Sequence, residues 1–103
     1  MPTTSEKKLA YLQASRACHV HPMANGKWIA TWPSNGFIHE SRRCSYHWAI
    51  GERARAVAIV AMELLGYDND TIAWALPLYQ YGNARDMLDQ AIKRARPVQL
   101  EQN

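Results

Sequence analysis

With 103 residues, 48% of them apolar and 20% charged, the chain has the composition of one globular domain and not of a disordered or fibrous segment. No apolar run approaches the ~20 residues of a membrane span. The two cysteines, Cys18 and Cys44, are too few for a disulfide framework and are expected as thiols.

The opening Met-Pro-Thr-Thr-Ser-Glu-Lys-Lys has no apolar signal-peptide core behind it, so a cytoplasmic location is expected. The net charge of +3 is uneven: residues 1–62 carry +5 and residues 63–103 carry −2. A positive half of this kind steers anionic partners, nucleic acid first among them.

The first element is a short N-terminal helix over residues 1–17, with Ser5 as its cap. Leu9 and Leu12, with Tyr11 or Ala14, give it a narrow apolar stripe. Cys18 to Met23 reads as a first strand. Pro22 cannot donate to a ladder, so that strand belongs at an edge or ends there. Two Asn-Gly pairs, Asn25-Gly26 and Asn35-Gly36, then bracket Lys27-Trp-Ile-Ala-Thr-Trp32. Asn-Gly suits the positive φ of a type I′ hairpin turn. The residues between suit a pleated surface. The pattern predicts a three-stranded meander: Cys18–Met23, then Lys27–Trp32 closed by Pro33, then Phe37 to about Arg42. Alternation sets Trp28, Ala30 and Trp32 on one face of the middle strand and Lys27, Ile29 and Thr31 on the other.

A helix follows, starting between Ser45 and Gly51 and running to Leu65. Ala56-Val-Ala-Ile-Val-Ala-Met62 is apolar on every side, the mark of a helix buried all round. Gly66 is a natural C′ residue. Asp68 or Asp70 caps a short helix, residues 71–76, which Pro77 ends or kinks. Tyr79-Gln-Tyr-Gly82 reads as a turn. Asn83 caps a last helix with a stripe of Ala84, Leu88, Ala91, Ile92 and Ala95, stopped by Pro97. Residues 98–103 are expected as a loose tail.

The expected architecture is therefore a single α+β domain over residues 1–103. A three-stranded antiparallel meander packs on a central buried helix within 18–66, flanked by the N-terminal helix and a C-terminal helical hairpin over 67–97.

Both cysteines and all four histidines lie between residues 18 and 47. Cys18-x-x-His21 and Cys44-x-x-His47 form matching pairs with the donor chemistry of a closed zinc site. In an extended segment, however, Cys18 and His21 point to opposite faces. The expectation is that no metal or other cofactor is bound. Cys44 and His47 would stand one turn apart on a helix that began early enough, as a nucleophile and its base. Nothing supplies an oxyanion hole, a phosphate loop or paired carboxylates, so a non-enzymatic role is expected.

Gly26-Lys-Trp-Ile-Ala, Asn35-Gly-Phe-Ile-His39, Ala54-Arg-Ala-Val-Ala-x-x-Ala61 and Leu65-Gly66 resemble AP2-like domains and the arm-binding domains of phage-type integrases. The resemblance covers residues 18–66. It implies a sheet laid into the DNA major groove with a helix packed behind it. The positions that match such contacts are Lys27, Trp28, Trp32, Arg42 and Arg43. Thr31 and Trp32 stand where those domains usually carry further arginines. The run Asp70-Thr-Ile-Ala-x-x-Leu76, a turn and a helix from Asn83 is similar to a helix-turn-helix of the sigma-factor region-four type. An αα-hairpin covering the buried helix accounts for the same pattern.

The expected function is a small DNA- or RNA-binding accessory or regulatory protein that uses its basic sheet side. Lys27, Arg42 and Arg43 would meet phosphates, and Trp28 or Trp32 would stack. The alternative is an inhibitor or adaptor of phage or plasmid type, in the style of anti-CRISPR proteins, that binds a larger nucleic-acid-handling protein complex. Four Trp and five Tyr supply anchors for protein–protein interaction. Trp48, Trp74, Tyr67, Tyr79 and Tyr81 sit near element ends, where they can reach a partner. The partner's identity and the oligomeric state are not encoded in any motif.

Overall fold

The structure, a computed structural model, describes residues 2–76 and 82–102. In chain order it comprises α1 (Thr4–Ala17), β1 (His19–Pro22), β2 (Trp28–Ser34), β3 (Phe37–Glu40), α2 (Tyr46–Leu64), α3 (Asn69–Ala75) and α4 (Ala84–Gln102). This is an α+β arrangement, with a three-stranded antiparallel sheet in the order β1-β2-β3. No described helix is long and apolar enough to cross a membrane.

Both Asn-Gly pairs turn the chain as expected. Asn25 and Gly26 have φ of 64° and 71°, and Asn35 and Gly36 have 54° and 82°. Asn35-Gly36 makes a two-residue hairpin between the paired Ser34 and Phe37. The strand limits differ from expectation at Pro33. β2 runs through Pro33 to Ser34 although it is the central strand. The reason is stagger. β1 pairs with residues 28–31 of β2 and β3 with residues 31–34. Ladder bonding alternates sides, and Ala30 bonds toward the β3 segment through Ser41. Pro33 therefore turns its missing donor to the other side, beyond the end of β1, where no ladder bond is lost. Pro22 ends β1 on an edge strand, as its chemistry requires.

β3 stops at Glu40 rather than Arg42, because the register slips by one. Ser41 meets Ala30, and Cys44 exchanges two backbone bonds with Trp28. Arg42 and Arg43 thus lie opposite the single residue Ile29, the count of a β-bulge. The Ser41 hydroxyl accepts the Ala30 N–H at 2.9 Å, so the ladder stays satisfied there.

α2 starts at Tyr46, where the Ser45 hydroxyl accepts the Trp48 N–H at 3.3 Å. It ends in a Schellman motif around Gly66 (φ 91°). There the Gly66 N–H donates to the Glu63 carbonyl and the Tyr67 N–H to the Met62 carbonyl. Between these ends, Ala56, Val57, Ala58, Val60, Ala61 and Met62 are buried, as a helix apolar on every side requires.

α1 departs from its expected stripe and cap. The residues it buries are Ala10 and Ala14, while Leu9 and Leu12 are exposed. Small residues one turn apart let α1 lie close against the alanine-rich α2, which pushes its leucines to the rim. The cap is Thr3, not Ser5. The Thr3 hydroxyl accepts the Glu6 N–H and the Glu6 carboxylate accepts the Thr3 N–H, a reciprocal capping box.

Asp68 caps α3 by accepting the Thr71 N–H at 2.8 Å. Asn83 caps α4 by accepting from Arg85 and Asp86. α4 buries Met87, Leu88, Ala91, Ile92 and Ala95. It packs on α2 and α3, which covers the second side of the buried helix. α4 also continues through Pro97 to Gln102, where a stop and a loose tail were expected. Pro97 withholds one donor, that for the Lys93 carbonyl, and the helix extends past it. The expected break at Pro77 and the aromatic turn Tyr79–Tyr81 lie outside the described residues.

Three arginines tie these layers together. Arg53 of α2 donates to the Ser15 carbonyl at 2.7 Å and the Cys18 carbonyl at 3.0 Å, bracketing the passage from α1 into β1. Arg55 donates to the Leu76 carbonyl and Arg94 to the Ala75 carbonyl, at the C-terminal end of α3. Replacing Arg53 by Ala leaves two part-buried carbonyls without their charged donor. It is expected to lower unfolding stability by about 2 kcal/mol. Arg42→Ala is expected to stay within about 0.5 kcal/mol of the parent. Urea denaturation midpoints of the two variants measure both.

Candidate nucleic-acid interface

The two faces of the sheet have different fates, and β2 shows which is which. The Ser34 hydroxyl bonds the Glu63 carboxylate of α2, Ala30 is fully buried, and Trp32 packs against the main core. The even-numbered residues of β2 therefore face α2. Trp28 and Trp32 belong to that side. Both are half-buried. Trp28 meets the Tyr46 ring edge-on at 4.8 Å, and Trp32 stacks with His39 at 5.9 Å. The expected stacking tryptophans are thus largely part of the scaffold between sheet and helix.

The odd-numbered face is the open one. Lys27 and Thr31 stand on it beside His19 and His21 of β1, with Ile38 and Glu40 across from Pro33 and Thr31. His21 Nε2 lies 2.8 Å from the Thr31 hydroxyl. Ile29 is buried but is not part of the main core cluster.

The register brings Lys27 and the Arg42–Arg43 bulge to either side of the Trp28–Cys44 bridge. All three cations are exposed. Among the described residues their side chains make no hydrogen bond or ion pair, unlike Arg53, Arg55 and Arg94. The N-terminus of α2 begins two residues beyond Arg43's neighbour Cys44, and its first turn carries no acidic residue. Its dipole therefore adds positive potential to that of the arginines.

Two exposed aromatic side chains stand in the same first turn, Tyr46 and Trp48, the latter 53% exposed. The sequence pattern emphasised Trp28 and Trp32 because they lie within a strand. It could not tell which face α2 would cover. Ser45 as a cap was the available signal that Tyr46 and Trp48 sit in a helical first turn beside the arginines.

The four residues with zinc-like spacing do not converge. Cys18 is buried in the main core, and His21 is exposed on the open face with Thr31. Cys44 donates its thiol hydrogen toward the Trp28 carbonyl, while His47 lies in α2. Among the described residues, no group of three or more His, Cys, Asp or Glu side chains could hold a metal ion. Cys44 also precedes α2, so it does not share a helix with His47 as a nucleophile and base would.

No protein-family model matches this chain, and no curated protein or solved structure is significantly similar to it.

Burial pushes the Cys18 thiol up to about 11, with Arg53 pulling modestly the other way. The folded state therefore keeps the proton that the unfolded chain, at its ordinary value of 9.0, gives up first. The stabilisation from this group is complete below pH 9 and is lost as pH rises from about 9 to about 11. Cys18 is expected to resist alkylation at mildly alkaline pH until denaturant is added. Intact-mass counting of iodoacetamide adducts, with Cys44 as the internal comparison, measures this.

Proposed function

We propose that this protein binds nucleic acid non-enzymatically, through the side of the sheet that carries Lys27 and the Arg42–Arg43 bulge. One observation carries the reading. Between Cys18 and Ile50, three cations and all four histidines are exposed, against the single carboxylate of Glu40. An unengaged cationic cluster beside a helix N-terminus suits phosphates. Tyr46 and Trp48 replace Trp28 and Trp32 as the side chains for bases to stack on. The resemblance to AP2-like and integrase arm-binding domains agrees with a helix behind the sheet. It does not extend to tryptophans on the open face.

A second reading has one observation in its favour. Phe37 and Ile38, at the start of the edge strand β3, are 72% and 70% exposed. Large apolar side chains this exposed on an edge strand suit contact with another protein. The protein would then be an inhibitor or adaptor of a larger complex, of the kind phages and plasmids encode.

Affinity for a mixed-sequence duplex and for a single strand is expected to fall steeply with salt. Arg42→Ala combined with Arg43→Ala should flatten the log–log slope by about 2. Trp48→Ala should weaken single-strand binding by about 1–3 kcal/mol if bases stack there. Fluorescence anisotropy across a salt series reads both effects. Absence of binding at low salt refutes the nucleic-acid reading. A stoichiometric, nuclease-resistant complex lost in Phe37→Ser/Ile38→Ser then favours the second.

A further inference from the structure

We propose that His19 and His21 form an open chelating site for a late first-row divalent cation such as Zn2+ or Ni2+. Residues two apart on a strand share a face. Here the pair stands on the uncovered face, with ring centres 6.0 Å apart and planes tilted by 50°. Metal–imidazole bonds are about 2.0–2.1 Å. Two rings on one such ion therefore have centres roughly 4.5–5.5 Å apart. His19 is exposed and its side chain makes no hydrogen bond among the described residues, so a side-chain rotation closes the difference.

His21 is already held as a ligand needs to be. Its Nε2 lies 2.8 Å from the Thr31 hydroxyl, and in the tautomer in which Nε2 donates, the ring's lone pair is on Nδ1. A hydrogen bond from the distal ring nitrogen to a neighbouring group is the usual companion of a metal-bound imidazole. Glu40 pairs with Thr31, which pairs with His19, so the one carboxylate of this face lies in the same cross-strand row. Because no third protein ligand joins among the described residues, water completes the coordination and the ion exchanges freely. Imidazole ligation selects zinc, nickel and copper over magnesium or calcium. The site needs neither cysteine and does not depend on nucleic-acid binding.

The test is a calorimetric titration of tag-free protein with Zn2+ at neutral pH, paired with Ni2+-induced broadening of the histidine ring protons by NMR. One ion per chain is expected. His19→Ala and His21→Ala should each weaken uptake at least tenfold, and Thr31→Val by about tenfold. His39→Ala, His47→Ala and Cys44→Ser should leave it unchanged, and Ni2+ should broaden His19 and His21 before the other two. No saturable uptake at millimolar Zn2+ overturns the proposal. So does uptake that survives both His19→Ala and His21→Ala, or uptake that Cys44→Ser abolishes. All the substituted histidines are exposed, so loss of fold does not confuse the outcome.

Discussion

α2 is buried on three sides, and that single constraint shapes everything around it. The sheet lies on one side, α1 on another and α4 on a third. A helix can be enclosed this way only if its surface is small enough for neighbours to approach. Ala49, Ala56, Ala58 and Ala61 meet that need and are all fully or almost fully buried. α1 answers with Ala10 and Ala14, and α4 with Ala91 and Ala95. The bulkier Val57, Met62, Leu88 and Ile92 fill the space that remains. Close packing of small against large is what makes the interior specific.

That enclosure has electrostatic consequences. The arginines near the buried segment, Arg53 and Arg55, are committed to main-chain carbonyls, and Arg94 caps the same end of α3. Their charge is absorbed by structure. Lys27, Arg42 and Arg43 lie at the other end of the sheet and are not so absorbed. The bulge at Arg42–Arg43 matters here. Two residues opposite one break the simple alternation, so neither arginine is obliged to follow the face its parity would assign. A cluster of exposed cations is thereby separated from the scaffold that holds it up.

The open face of the sheet joins two chemistries in a small area. At one end is Lys27, across the Trp28–Cys44 bridge from the Arg42–Arg43 bulge. Along β1 stand two imidazoles, one of them oriented by Thr31 from the neighbouring strand. Both depend on the stagger of the ladder. β1 is short and covers only the first half of β2, which places His19 and His21 beside Thr31 and Ile29 and leaves Pro33 at a local edge.

Much of this was legible in local chemistry. Asn25-Gly26 and Asn35-Gly36 specify turns because φ > 0 is cheap for those residues. Gly66 specifies the end of α2, Asp68 and Asn83 specify caps, and an apolar run from Ala56 to Met62 specifies burial. Each of these depends on a residue and its immediate neighbours. Other outcomes depend on contacts across the chain. Pro33 continues a strand because β1 has already ended beside it. Leu9 and Leu12 lie at the rim because Ala10 and Ala14 permit closer packing. Cys18 and His21 separate because the strand between them alternates. The choice between the two faces of β2 was the decisive one for the site. Alternation alone groups Trp28 with Trp32 but is symmetric between the two sides. Only the docking of α2, through Ala30, Trp32 and Ser34, decided that the tryptophans support the sheet while Lys27, His19 and His21 remain outside.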